Sequence, residues 1–279
     1  MTTVALLGVP WDASSTFQRG AAAAPAVIRQ ALWSPSSNAW NERGDDLSAT
    51  GVLEDAGDLS LGDDAADART AIEHRIRQLL GTGRRPLSLG GDHSITYPIL
   101  RAFGVRTQSE TQPHAGARAE PLTVLHIDAH ADLYDAFDGD RFTHASPFAR
   151  VMEERLVGRL VQVGIRTLNA HQRAQASRYG VEILGADRWR EAVPLVGRLR
   201  GPLYVSLDLD ALEPALAPGL SHPEPGGLTV RDVLELLAAI RVPVVGADIV
   251  EYNPANDVRD LTARVAAKFA KELVGIMRR

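Results

Sequence analysis

The chain of 279 residues contains no cysteine, which excludes disulfide bridges, thiolate-bound zinc and a cysteine nucleophile. It has no excess of positive charge. The formal net charge is -5, so there is no basic footprint for nucleic acid. No apolar run approaches the roughly 20 residues that a membrane span needs, so no membrane partner is expected. No basic segment precedes the short apolar start at 4–9, so a secretory leader is not expected and the cytoplasm is the default compartment. No internal repeat is visible. Gly90-Gly91 has no lysine after it, so a Walker-type phosphate loop is also missing.

What remains is an ordinary globular composition, 45% hydrophobic and 23% charged, long enough for one large core. Short apolar runs predict strands over 4–9, 87–89, 122–127, 160–165, 203–209 and 242–250, with a shorter run at 181–184. Amphipathic stretches predict helices over 26–32, 65–80, 95–103, 147–154, 170–179, 186–199, 230–240 and 257–277. Continuously apolar strands separated by helices point to a parallel α/β sheet covered on both faces. The polar segment 106–120 has no apolar periodicity and reads as a mobile surface loop within one domain, 1–279, not as a linker.

The ionisable residues are placed against this pattern. The run Leu122–Leu125 passes into His126-Ile127-Asp128-Ala129-His130-Ala131-Asp132. In an extended strand alternate residues share a face, so Asp128, His130 and Asp132 are expected to converge as the strand leaves the core. Similar breaks occur at Gly90-Gly91-Asp92-His93, at Ser206-Leu207-Asp208-Leu209-Asp210 and at Asp248-Ile249-Val250-Glu251. If those strands are parallel neighbours, all four clusters meet at one sheet edge, where such sheets bind ligands.

Buried charges need partners, and a divalent cation is the natural one here. His93, Asp128, His130, Asp132, Asp208 and Asp210 are too many for one zinc ion. Shared carboxylates could bridge two ions about 3.5–4 Å apart, and mixed oxygen and nitrogen donors suit Mn²⁺. Such a site makes hydroxide from water near neutral pH and orients it at a substrate carbon.

At these residues the chain resembles the ureohydrolase family of arginases, agmatinases, guanidino-acid hydrolases and formimidoylglutamases. Gly90-Gly91-Asp92-His93-Ser94, Asp128-Ala129-His130-Ala131-Asp132 and Ser206-Leu207-Asp208-Leu209-Asp210 look like its three metal motifs. Gly8-Val9-Pro10, Arg19-Gly20 and the stretch 25–29 resemble its amino-terminal pattern. The resemblance implies a three-layer α/β/α sandwich with a mostly parallel, roughly eight-stranded sheet. It also implies two Mn²⁺ and a homo-oligomer, a trimer or hexamer. Carried over by position, His93 and Asp132 bind one ion, His130 and Asp210 the other, and Asp128 and Asp208 bridge. His144 matches the proton-shuttling histidine and Glu251 the carboxylate that holds a guanidinium, a sound bidentate pairing. The implied reaction is attack of a metal-bridging hydroxide on a small guanidino substrate, releasing urea and an amine.

The substrate tail is less sharply written. Leu133–Asp140 replaces the asparagine- and serine-rich stretch of arginases, and Thr167 follows Gly164-Ile165-Arg166 where arginases carry an acidic residue. Both departures favour the agmatinase and guanidino-acid branch. Retention of His144 weighs against formimidoylglutamase, yet Leu220-Ser221-His222-Pro223 resembles that branch, and Glu251-Tyr252-Asn253-Pro254 the arginase form. Ala145 stands where agmatinases usually have glycine. A single-zinc deacetylase is the rival enzyme, opposed by the additional His93 and Asp132. A non-catalytic relative is opposed by the full set of site residues.

Among the remaining polar residues, His126 reads as a hydrogen-bonded neighbour of the site and Asp92 as a turn residue. Asp248 is open between a structural and a substrate role, and His222 between a surface loop and the substrate mouth. His74, His114 and His171 read as solvated. Asp135, Asp138 and Asp140 read as a solvated acidic loop that could meet a cationic tail.

Overall fold

Alternate side chains of the first strand enter two different cores. In the computed structural model, which describes residues 2–109 and 120–279, β1 (Val4–Val9) sends Val4 and Leu6 to one face and Ala5, Leu7 and Val9 to the other. The same division holds along a sheet of eight strands. The others are β2 (Leu53–Asp58), β3 (Arg85–Gly90), β4 (Thr123–Ile127), β5 (Arg159–Ile165), β6 (Glu182–Gly185), β7 (Leu203–Asp208) and β8 (Val244–Val250). Their order is β2-β1-β3-β8-β7-β4-β5-β6, and every pairing is parallel, where a mostly parallel sheet was expected.

Helices cover both faces. Against one pack α1 (Ala24–Leu32), α6 (Trp189–Val196), α7 (Val230–Ala239) and α8 (Leu261–Met277). Against the other pack α2 (Ala65–Gly81), α3 (Thr96–Ser109), α4 (Pro147–Glu153) and α5 (Ala170–Tyr179). The three layers follow from burial. Leu125, Ile127, Leu207 and Phe269 are fully buried on one side. Each such side chain contributes roughly 1.5–3 kcal/mol when removed from water. Helix ends are fixed locally: Asn169 with Gln172, and Thr229 with Asp232, form capping boxes at α5 and α7.

Four elements differ from the sequence expectation. Strand β2, Leu-Glu-Asp-Ala-Gly-Asp, was not anticipated, because it is a polar edge strand whose only strand-making feature is its pairing with β1. The stretch 186–199 is not one helix. A 3₁₀ turn over Ala186–Arg188 precedes α6, which ends at Val196. The last helix begins at Leu261, because Asp257 accepts hydrogen bonds from the Thr262 and Ala263 N–H groups and so sits outside it. In the segment read as a loop, 106–109 continue α3, and 110–119, with His114, lie outside the described residues.

The sheet order makes β3, β8, β7 and β4 consecutive neighbours. Ile127 pairs with Leu207, Asp208 with Val250, and Leu89 with Ile249. The residues that follow these pairs therefore leave the sheet at one level.

Candidate active site

Turns at the strand ends, more than strand alternation, aim the ionisable residues. β4 stops at Ile127, so 128–132 is not extended strand as expected. Asp128 Oδ1 accepts the His130 N–H at 2.6 Å, a side-chain turn, and Asp132 is left-handed at φ 51°. After β7, Asp208 Oδ1 accepts the Asp210 N–H at 2.8 Å in the same way. After β3, Asp92 caps the 3₁₀ turn that carries His93, through the Ser94 N–H at 3.1 Å. A Cβ on Gly91 would lie 1.8 Å from the Trp11 carbonyl oxygen, so only glycine allows this close approach. Asp92 is the turn residue anticipated.

Two overlapping groups result. His93, His126, Asp128 and Asp132 form one, Asp128, His130 and Asp210 the other, each with its potential ligand atoms within 4.8 Å of one another. His93 Nδ1 faces Asp132 Oδ2 at 3.0 Å, Asp208 Oδ2 at 3.1 Å and Asp128 Oδ2 at 3.2 Å. It is buried and makes no hydrogen bond of proper geometry with any of them. His130 Nδ1 lies 2.8 Å from Asp210 Oδ2 and 3.6 Å from Asp128 Oδ1. Asp128 thus stands between the two imidazoles, one oxygen toward each.

The other side of His93 is tied down. Its Nε2 lies 2.9 Å from Ser206 Oγ, which donates to Asp248 Oδ1 at 2.7 Å. Thr96 and Tyr204 hydroxyls donate to Asp248 Oδ2 at 2.9 and 2.7 Å. Asp248 only accepts, so Ser206 takes the Nε2 hydrogen and Nδ1 is the nitrogen left facing the three carboxylates. Asp248 therefore lies behind His93 and does not line the pocket.

The electrostatics of this cluster call for positive charge. Burial, then Asp210 and Asp128, push Asp208 well above the usual carboxylate range, and burial with Asp128 lifts Asp210 to about 7. Burial lowers His93 and His130, but the surrounding aspartates outweigh it and hold both above the usual imidazole value. An orphaned imidazole nitrogen facing crowded carboxylates fits a divalent cation, and the mixed donor set suits a hard to borderline metal. The clusters can bind metal.

Beside the cluster, His144 Nδ1 lies 3.0 Å from Glu251 Oε1, and its Nε2 lies 2.8 Å from Thr16 Oγ1. Glu251 is left-handed at φ 64°, and its Oε1 also accepts the His93 N–H at 2.7 Å. Burial lowers His144, but Glu251 more than offsets it and raises the imidazole to about 9, while Glu251 itself is held below its usual value. At neutral pH this is a buried ion pair. Both residues line a cavity of about 220 Å³ together with His130, Asp132, Asp208 and Asp210 and with Thr16, Tyr134, Phe137, Thr167, Gln172, His222 and Glu224.

Each anticipated site residue therefore lies at this sheet edge. His222 lines the pocket, its ring 4.8 Å from that of His144. His126 is buried and bonded to Asp128. His74 is exposed. His171 is exposed but not merely solvated, since it accepts the Asp135 N–H at 3.2 Å and stacks on Tyr134. The acidic loop does not line the pocket: Asp135 pairs with buried Arg150, and Asp140 accepts the Phe142 N–H. Tyr134 and Phe137 from that loop line it instead. Thr167, noted in the sequence where arginases carry an acidic residue, lines the pocket; Thr16, Gln172 and Glu224 were missed, and of these Glu224, in the Pro/Gly-rich loop beside His222, carried a signal in the sequence.

The profile of the arginase family matches residues 2–275. Mitochondrial arginase 1 of Arabidopsis thaliana is 42% identical over 284 residues, covering 97% of this chain and 80% of that protein. Guanidinopropionase of Pseudomonas aeruginosa is 36% identical over 291 residues, covering 98% of this chain and 86% of that one. The solved arginase of Medicago truncatula superposes with a TM-score of 0.90 at 40% identity, covering 99% of this chain and 87% of that chain. No helix among the described residues is long and apolar enough to cross a membrane. From strand order to the carboxylates at its edge, this chain belongs to the arginase family of hydrolases.

Proposed function

We propose that the protein hydrolyses a linear guanidine to urea and an amine at two Mn²⁺ ions. His93 and Asp132 would hold one ion and His130 and Asp210 the other, with Asp128 and Asp208 shared. The observation that carries this is the fully buried Asp128, with one oxygen toward each imidazole. Bound there, the metals would supply an activated water at neutral pH. Glu251 accepts the guanidinium, held in place by the His93 N–H and by His144. His144, protonated at neutral pH, gives its proton to the leaving amine and is recharged through the pocket water.

The tail of the substrate carries an ammonium group, as in agmatine or arginine. Among the described residues no lysine or arginine lines the cavity to meet a lone carboxylate, whereas Glu224 lines it together with hydroxyl and amide groups. The departures in 133–140 favour the agmatinase and guanidino-acid branch over arginase, and of these the Glu224 carboxylate suits agmatine. The 42% identity to a plant arginase keeps arginine beside it. Urea release with Mn²⁺ from agmatine, arginine, 4-guanidinobutyrate and 3-guanidinopropionate tests this, with a formamide readout for formimidoylglutamate. Turnover of either ammonium-bearing substrate above the two guanidino acids is expected. A preference for a guanidino acid overturns the tail assignment. No urea from any guanidine overturns the reaction. Cytoplasmic location and a homo-oligomer accompany this reading, and light scattering tests the latter.

A further inference from the structure

Next to Asp128 lies a second chain of buried groups that does not line the pocket. His126 and Gln162 are fully buried cross-strand partners in the register of β4 and β5. Gln162 Nε2 lies 2.6 Å from the Ala131 carbonyl oxygen and 2.9 Å from His126 Nδ1. His126 Nε2 lies 2.6 Å from Asp128 Oδ2.

The direction of these bonds follows from the first. The Ala131 carbonyl only accepts, so the Gln162 amide must turn its NH₂ toward it. Turned over, Gln162 would place two acceptor oxygens 2.6 Å apart. The second amide hydrogen then points at His126 Nδ1, which must carry a lone pair. The ring hydrogen is left on Nε2, donated to Asp128. Gln162 Oε1 stays buried without a partner, a smaller loss than two facing acceptors. Phe148 packs on the ring, centroids 4.0 Å apart, and prevents it from turning.

We infer that Gln162 and His126 are positioning residues for the metal-bridging carboxylate: Gln162 fixes the Nε2–H tautomer of His126, and His126 holds Asp128 Oδ2 in place. This rests on the two-metal reading for its catalytic meaning, but the hydrogen-bond direction stands by itself. It also removes His126 from the ligand set, although its ring lies within the same cluster, because its cluster-facing nitrogen carries hydrogen. Asp128 is thereby clamped from two sides, Oδ1 by the His130 N–H and Oδ2 by His126. A carboxylate so held keeps one lone pair on each oxygen aimed into the site, and does not rotate away when one ion leaves.

Two readouts test this on the full-length protein. Nitrogen NMR of histidine-labelled, metal-free protein should show the His126 hydrogen on Nε2 and a lone pair on Nδ1; a hydrogen on Nδ1 overturns the inference. Calorimetric titration with Mn²⁺ should show His126→Phe binding about ten- to a hundredfold more weakly than wild type, the range for partners of metal ligands. His126→Gln, which keeps an N–H where Nε2 lies, should recover most of that loss, and Gln162→Leu should fall between. Melting in a chelator separates this from misfolding, since Phe keeps the ring packing. Mn²⁺ affinity unchanged in His126→Phe, or His126→Gln as weak as His126→Phe, overturns the positioning role. Wild type that takes up no Mn²⁺ overturns the two-metal reading, and with it the catalytic meaning, while the tautomer still judges the bond direction.

Discussion

At the floor of the site the clustered carboxylates and imidazoles hang from the ends of central strands, and His144 joins them from the segment before α4. At the rim, Thr16, Phe137, His222 and Glu224 come from loops, with Gln172 added from the start of α5. Asp128 is fully buried and Glu251 is 4% exposed, whereas Phe17, edge-on to His222 at the mouth, is 72% exposed. Floor positions inherit their precision from strand register, and second partners such as Ser206 and His126 fix their remaining nitrogen and oxygen atoms. Rim positions have no such scaffold. The difference separates what is done to the guanidine from which guanidine is chosen.

The largest expected effect comes from breaking the floor. Asp128→Ala should lose metal, read by metal analysis, and lose urea release by more than the ~100-fold typical of partners outside the ligand set. Retention of both ions would show that the floor does not depend on the shared carboxylate. Next, Glu251→Gln should keep its metals and lose roughly a hundredfold in kcat/KM, as expected when one member of a buried charge pair is removed. Activity close to wild type would release Glu251 from the substrate.

A pH experiment probes the floor without metal. His144 titrates near 9 when folded against a model value of 6.5, so it binds its proton more tightly in the folded state. The stability it contributes is complete below about 6.5 and is lost as pH rises through about 9, at most roughly 3 kcal/mol. Burial with Glu251 lifts Asp92 to about 7, and burial with Asp128 lifts Asp210 likewise; these carboxyls also lose stability with rising pH, but between about 4 and 7. Chelated protein should therefore melt lower at pH 10 than at pH 7, and His144→Gln should reduce that loss but not abolish it, since His93 and His130 are also held above the usual imidazole value. An unchanged upper window in the variant would assign the loss elsewhere.

The smallest effect is expected at the rim. Glu224→Gln should raise KM for agmatine by a few-fold with kcat unchanged, since exposed ion pairs contribute only about 0–1 kcal/mol. It should leave 4-guanidinobutyrate unaffected. Equal effects on both substrates would place Glu224 outside tail recognition.

The same contrast explains what was legible. The four clusters were visible because each interrupts an apolar run that parallel strands require. Strand β2 was not, because Glu54, Asp55 and Asp58 give it no apolar run to interrupt. The three metal motifs carry local spacing, so their residues could be assigned by position. Thr16 and Gln172 carry none, being ordinary polar residues that reach the pocket from distant segments.

By itself, the sequence determined a parallel α/β sheet with carboxylates and imidazoles at the ends of β3, β4, β7 and β8, because hydrophobic period and local motif are properties of neighbouring residues. Only the tertiary structure decided that Asp128 stands between two imidazoles, that Asp248 and Gln162 lie behind the site, and that Tyr134 and Phe137 line the mouth in place of the acidic residues beside them. Those facts depend on strand order and on contacts between residues far apart in the chain, which local patterns do not encode.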